Sequence, residues 1–395
     1  MARTDGATNL CAIAVPLPGT AIAASVFVTM TTRTSTSALV SGCATADGTL
    51  RYRARFPALA ATDFYRVLPG GRLASSLGLG TYLGECDDAE DTRYAGTARL
   101  ALESGVNVID TAINYRCQRS ERAVADGLRA ALALGTVARD EVVLCTKGGY
   151  IPLDGAPPAS REVYAKYLAT EFFDRGLMTP DDVVAGGHCL APRFLADQIG
   201  RSRRNLGVET IDLYYLHNPE QQLDTLSRDR FRGVMHDAFV LLEDRVQRGE
   251  ITGYGCATWN GFRVPPSARG HLSLRELMEL ARDAGGDDHH FQAIQLPVNL
   301  ALNEAVRLPT QPATSGRLVP LLEAALELGI AVVASATLMQ AQLARGLPPQ
   351  LAEAFPGLTS DAQRAIAFVR SLPGIATALV GMKQPSHLEE NLGAA

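Results

Sequence analysis

Two textures alternate along most of this chain, and they leave few folds open. Eight short apolar runs are separated by longer amphipathic stretches. The runs are "SLGLGTYLG" (76–84), "NVIDTA" (107–112), "VVLCTK" (142–147), "IDLYYLH" (211–217), "ITGYGCA" (251–257), "AIQLPVN" (293–299), "AVVASAT" (331–337) and "ATALVGM" (376–382). Stretches such as "TRYAGTARLALES", "SERAVADGLRAALAL" and "HDAFVLLEDRVQR" lie between them, with apolar residues at helical spacing. Nearly continuous apolar strands are buried on both faces, as in a parallel sheet covered by helices. Eight β-then-α units predict an α/β fold of the (β/α)8, or TIM, barrel type. Ahead of the first run, "FYRVLPGGRLASS" places a Pro-Gly-Gly turn between short apolar segments and predicts an N-terminal β-hairpin. A long insert, residues 148–191, separates strands three and four. Loops of that length inside a domain are usually functional.

A doubly wound dinucleotide fold is the rival. Its fingerprint is G-x-G-x-x-G after the first strand. Gly78, Gly80 and Gly84 miss that spacing by one, and no acidic residue ends a second strand at the expected distance of about 20 residues. The glycines are better read as strand-end flexibility near a ligand.

The chain has 395 residues, 47% of them hydrophobic, and a formal charge of −5. That suffices for a large core. Mild acidity with no basic run argues against a nucleic-acid partner. The seven cysteines form no C-x-x-C pair, which suits neither a zinc site nor a disulfide framework and fits a reduced, cytoplasmic setting. Gly6 to Thr32 carries no charge. It has the features of a secretory signal (Ala21-Ile22-Ala23 as cleavage site), of a membrane span, or of a disordered extension. Pro16, Pro18 and the weak flank, where Asp5 offsets Arg3, favour the extension, and Met30 is an alternative start. Residues 1–50 are therefore expected to be a disordered extension with few contacts, and 51–395 the barrel, with no membrane partner.

In such a barrel, polar residues at the C-terminal strand ends converge on one mouth. Reading those ends gives Asp110 after strand two, Lys147 after strand three and His217 after strand four, with Tyr115 on the loop leaving strand two. Each has a plainer reading: a turn-capping Asp, a packed Tyr, a hydrogen-bonded core His, a solvated Lys. Yet Lys147 follows a buried strand in a chain with only three lysines against 34 arginines. The set makes chemical sense. A free phenol, with a pKa near 10, is too weak an acid to shuttle protons well at neutral pH. A neighbouring cation favours the phenolate, a carboxylate keeps that cation charged, and a His donor steadies a substrate oxygen. This device moves a proton but supplies no reducing power, so it needs a hydride-carrying cofactor.

With "GLGTY", "NVIDTAINY", "LCTKGG", "IDLYYLHNP", "GYGCATW", "AIQLPVNL" and "ALVGMKQPSHLEEN" together, the sequence from about residue 62 resembles the aldo-keto reductases. The resemblance implies an NADPH-dependent carbonyl reductase, with NADH as a second possible donor. It assigns a catalytic tetrad of Asp110, Tyr115, Lys147 and His217. It implies cofactor contacts at Thr81, Asp110, Thr258, Gln295, Ser335, Leu338, Lys383, His387, Glu390 and Asn391, and a substrate-lining aromatic at Tyr82. It implies a small carbonyl or alcohol substrate, no metal, and a monomer or small homo-oligomer.

The text departs from the family in places. Ala257-Thr258 replaces Ser-Asn after strand five. Ser335 stands where a nicotinamide-stacking Tyr is usual. Gly381 and His387 stand where Lys and Arg grip the 2′-phosphate, with Lys383 a substitute in the same loop. Nicotinamide stacking and the choice of NADP over NAD are thus left open, and the substrate is unread. A cofactor-sensing subunit of the same fold is the alternative function; a metal-dependent hydrolase would need more ligands at the strand ends. "GGHC" at 186–189 offers one His and one Cys, too few for zinc.

Overall fold

The computed structural model describes residues 38–395. Eight parallel strands close into a barrel. They are β1 (Leu77–Gly80), β2 (Val108–Asp110), β3 (Val143–Gly148), β4 (Leu213–His217), β5 (Tyr254–Ala257), β6 (Phe291–Pro297), β7 (Ala331–Ser335) and β8 (Ile375–Gly381). One helix follows each strand on the outside: α1 (Asp88–Glu103), α2 (Arg119–Ala133), α3 (Pro192–Leu206), α4 (Arg228–Gln247), α5 (Leu274–Gly285), α6 (Leu321–Glu327), α7 (Asp361–Ser371) and α8 (Pro385–Leu392). Strand order around the ring follows the chain, and β7 and β8 complete it between β6 and β1.

The strands are apolar on both faces because side chains fill the barrel on one side and meet helices on the other. All six residues of β3 are buried. Helix starts are set by side-chain caps: Asp87 accepts from Glu90 N at the head of α1, and Ser360 with Gln363 forms a reciprocal box at α7. Strand register levels the mouth. Gly80 lies beside Asp110, Lys147 beside Tyr215, His217 beside Ala257, and Ala257 beside Gln295. Strand limits differ from the apolar runs by a few residues. Ile211, for example, makes only an isolated bridge to Ile251 before the β4 ladder begins.

The expected hairpin is present, Tyr65–Val67 against Leu73–Ser75, with Gly70 and Gly71 at φ +80° and +79° in its turn. These are left-handed angles that glycine adopts without strain. The hairpin closes the N-terminal end of the barrel: Phe64 beside it is fully buried, and Ser75 N donates to Asn107 Oδ1.

The boundary at residue 50 needs correcting. Val40 bridges Val208, and Ala44 N donates to the buried Asp212 carboxylate at 2.6 Å. A helix, Ala46–Ala54, then lies against the barrel with Tyr52 fully buried, its hydroxyl donating to Leu102 O at 2.6 Å. Thr49 Oγ1 accepts from Leu73 N. The folded unit therefore begins before residue 51. The helix is hard to see in the sequence because it is mostly polar and buries few side chains. The signal, span and alternative-start readings fall on residues 1–37, outside the described residues. No helix of the described residues is long and apolar enough to cross a membrane.

The insert between β3 and α3 packs Ile151, Phe172, Met178 and Cys189 into a small core with Phe194 of α3. The Arg201 guanidinium of α3 stands 5.3 Å over the Phe172 ring, pinning the insert to the barrel.

If residues 38–54 are part of the fold, Tyr52→Ala removes a fully buried aromatic and leaves Leu102 O without its donor. The expected loss is about 3–5 kcal/mol, read from the midpoint of denaturant unfolding. A loss below about 1 kcal/mol, the range of exposed sites, would return the segment to the status of a loose extension.

Candidate active site

Asp110 closes β2, and Lys147 sits one residue before the end of β3. The two strands are paired in register, so the side chains meet across the mouth floor. The Lys147 ammonium donates to Asp110 Oδ1 and to Thr111 O at 2.8 Å. Gln295, from β6, donates to Asp110 Oδ2 at 2.8 Å. Both charged groups are almost completely buried, with Lys147 at 1% exposure. Tyr115 leans over the pair, with Lys147 Nζ 4.9 Å from its ring centroid. His217, the last residue of β4, meets Tyr115 edge to face at 5.7 Å. Tyr82 packs on the other side of Tyr115, ring centroids 5.0 Å apart, and is half exposed. The four tetrad candidates therefore share one mouth, Tyr115 and His217 partly open to it.

The electrostatics follow from burial working against pairing. Burial lifts the Asp110 carboxyl above its ordinary range, and Lys147 with Gln295 draws it back. Burial would depress the Lys147 ammonium, but Asp110 and Tyr115 outweigh it and keep it firmly charged. Burial raises the Tyr115 phenol, Lys147 pulls it down, and the balance stays above the ordinary value. The lowering from Lys147 that the sequence suggests is present but does not win in this state. Burial, then Lys147, holds His217 well below its ordinary pKa, so the ring is neutral at pH 7. His217 Nδ1 is buried with no hydrogen-bond partner. The proton therefore belongs on Nε2.

The other sequence-derived positions divide. Thr81 is fully buried, its hydroxyl donating to Asp110 O at 3.2 Å. Thr258, just past β5, is buried with an unpartnered hydroxyl. Ser335 ends β7, and Leu338 is packed partly into the core beyond it. Lys383 precedes α8 and contacts Glu90 Oε1 at 3.3 Å. His387 and Glu390 face solvent on α8, and Asn391 is buried.

Several residues that sequence reasoning passed over also shape the mouth. Glu220 is a buried carboxylate whose Oε1 accepts from the backbone N–H groups of Trp259, Asn260 and Gly261 at 2.7, 3.0 and 3.3 Å, which fixes the loop after Thr258. The Tyr150 ring stands edge-on to His217 at 4.9 Å, and its hydroxyl accepts from Asn218 Nδ2 at 2.8 Å. His188 from the insert reaches His217 O at 2.7 Å. The available signals were the Glu in "HNPE" and the His in "GGHC", neither with a spacing that names its partner. Among the described residues, no three His, Cys, Asp or Glu side chains gather into a metal-binding group.

The closed barrel thus carries a buried ammonium–carboxylate pair, a phenol and a neutral imidazole at its C-terminal mouth. The Aldo/keto reductase family model matches residues 76–274, and the chain belongs to that family. Similar solved structures include the aldo-keto reductase AKR11C1 from Bacillus halodurans in its holo form, at 19% identity over 84% of this chain and 90% of that one, TM-score 0.55. Another is an aldo/keto reductase from Klebsiella pneumoniae in complex with NADP and acetate, at 20% identity over 84% and 90%, TM-score 0.54. A third is the thermostable aldo-keto reductase Tm1743 with the inhibitor epalrestat, at 18% identity over 84% and 93%, TM-score 0.56. At these identities the likeness is one of fold. Among curated proteins, no sequence matches this chain.

Buried His188 gives the site a pH signature. Burial lowers its pKa to about 4, against the ordinary 6.5. As pH falls through that window the unfolded chain takes up a proton that the folded one refuses, so stability falls with decreasing pH. In His188→Gln that component is gone, while the other histidines still contribute. The drop in Tm between pH 7 and 4.5 should be smaller in the variant; equal drops would mean that His188 is not held neutral.

Proposed function

We propose that the protein is an NADPH-dependent reductase of aldehydes or ketones, working equally as the alcohol dehydrogenase in reverse. The observation that carries this reading is the buried Lys147–Asp110 pair set against the Tyr115 phenol, with neutral His217 on the phenol's other flank. The nicotinamide supplies the hydride. The rest falls to this chain. His217 donates from Nε2 to the substrate oxygen and fixes its direction. Tyr115 gives its hydroxyl proton to that oxygen as negative charge builds there. The Lys147 ammonium stabilises the phenolate left behind, and Asp110 keeps that ammonium charged and in place.

The chain has groups suited to such a cofactor. Thr258 has a buried hydroxyl without a partner at the end of β5, where the nicotinamide amide would be held. Ser335 and Leu338 follow on β7 and its loop, and Asn391 lies on α8. Lys383, at the head of α8, is suited to the 2′-phosphate, where cation and helix N-terminus favour an anion together. The Klebsiella relatives' complexes with NADP and NADPH support the same cofactor.

A cofactor-sensing role is the second reading. Ser335 favours it, because it offers no ring to stack on a nicotinamide. The two separate in one experiment. NADPH oxidation with 4-nitrobenzaldehyde supports the enzyme; binding without oxidation, across a panel of aldehydes and ketones, supports the sensor.

In Lys147→Met the apolar stem stays and the charge goes. General acid–base assistance contributes about 10²–10⁴-fold, so single-turnover hydride transfer should slow at least about 100-fold while cofactor affinity, read by fluorescence quenching, changes far less. A near-normal rate would remove Lys147 from the mechanism.

Lys383→Met should weaken NADPH binding by about 10-fold or more, the value of a hydrogen bond to a charged group. NADH binding should hardly move. Equal weakening of both would place Lys383 away from the 2′-phosphate.

A further inference from the structure

The insert returns to the barrel in a way that explains its length. At its start, Tyr150 follows Lys147-Gly148-Gly149; at its end, His188 precedes Cys189. These two ends are zipped together. Tyr150 and His188 form an antiparallel bridge, Ile151 N donates to Gly187 O at 2.8 Å, and Cys189 N to Gly149 O at 2.7 Å. Residues directly opposite in such a bridge present their side chains on the same face. Here both rings reach the end of β4: Tyr150 packs on the His217 ring and His188 bonds the His217 carbonyl.

The hydrogen-bond logic of His188 allows one arrangement. A carbonyl oxygen only accepts, so Nε2 must carry the hydrogen that meets His217 O at 2.7 Å. Nδ1 of the neutral ring is then an acceptor, and Gln222 Nε2 donates to it at 2.7 Å. Gln222 comes from the short 3-10 helix Pro219–Asp224 that follows β4. His188 is fully buried, so both bonds are shielded from water. Gly149 leaves room for them. A Cβ there would stand 3.0 Å from His188 Nε2 and 3.2 Å from His217 O, and φ at Gly149 is +133°. Gln198 of α3 clamps this corner by accepting from Gly149 N at 2.8 Å and donating to Tyr150 O at 2.6 Å.

We propose that His188 is a positioning residue for the reaction, acting through His217, and that the 148–191 insert exists to deliver it. The inference rests on the carbonyl-reductase reading only for its kinetic arm. His217 is the last residue of its strand; Asn218 N donates to Ala257 O just beyond it, but Nδ1 of His217 has no partner to orient the ring. The clamp on its carbonyl and the Tyr150 ring against its face provide that orientation.

The test compares His188→Leu with His188→Gln, whose amide nitrogen can take the place of Nε2–H. A misplacement of about 1 Å at a reacting group costs up to about 100-fold in rate. We expect single-turnover hydride transfer to fall about 10- to 100-fold in the Leu variant and to recover most of that in the Gln variant, with NADPH affinity unchanged in both. In a His217→Ala background, His188→Leu should add nothing. A full extra loss there would overturn the proposal, because the effect would not pass through His217. ¹⁵N-labelled histidine NMR is independent of turnover: the His217 ring signals should shift or broaden in the Leu variant and return in the Gln variant. Unchanged His217 signals in folded His188→Leu would equally overturn it. If wild type oxidises no NADPH, the functional reading fails and the NMR arm still decides the positioning. If His188→Leu does not fold, Gln222→Leu removes the other half of the clamp and is read the same way.

Discussion

The Lys147–Asp110 contact is the interaction on which the rest of this structure depends. Removing an ammonium and a carboxylate from water costs several kcal/mol per ion, and only good pairing with further hydrogen bonds offsets it. Thr111 O takes a second Lys147 hydrogen, and Gln295 satisfies the second Asp110 oxygen. These partners come from β2, β3 and β6, which are not neighbours in one hairpin. They meet only if the whole barrel closes in the right register. A slip of one residue would turn every side chain of a strand to the other face. The floor of the mouth is thus also a strict condition on the fold.

Much of this was legible in the sequence, for a physical reason. Strands buried on both faces must be apolar throughout, so eight such runs alternating with amphipathic stretches leave little choice of architecture. The tetrad candidates were legible because charge and polarity at the end of an apolar run stand out. The strand limits were not, since an apolar run does not say where its ladder begins. Nor was the plug at residues 38–54: Tyr52 anchors a helix whose other residues are mostly polar, and composition alone makes it look like a tail. His188 was hidden for a different reason. Its partners, His217 and Gln222, lie on the far side of a helix, and no spacing rule links "GGHC" to "LHNPEQQ". Gln295 was legible as a site residue, yet in this structure its amide is committed to Asp110.

The mouth is made of loops, and buried side chains tie their backbones down. Glu220 gathers three consecutive N–H groups after β5. Arg116 donates to the carbonyls of Glu85 and Asp87 and to the Asp91 carboxylate, which joins the loops after β1 and β2. Gln198 does the same for Gly149 and Tyr150, and Asn299 for Ala336 O. The three residues after Tyr115 take left-handed backbone angles, φ +49°, +55° and +68° at Arg116, Cys117 and Gln118. Such angles are costly away from glycine and persist where the surroundings fix them. The loop that presents the phenol is therefore held in shape by its surroundings.

This arrangement also fixes the charge of the site. Burial opposes protonation of His217, Lys147 opposes it further, and neighbouring His188 is kept neutral by burial as well. Asp110 and Lys147 cancel. The mouth then holds one compensated ion pair and two neutral groups, Tyr115 and His217, with the Tyr150 ring beside them. In the proposed reaction a charged His217 would compete with Tyr115 as the acid. In that reaction a neutral His217 directs the substrate oxygen and leaves the proton to Tyr115, the phenol beside the Lys147 ammonium. One histidine at the end of β4, and one from the insert that bonds its carbonyl, are thus both held neutral.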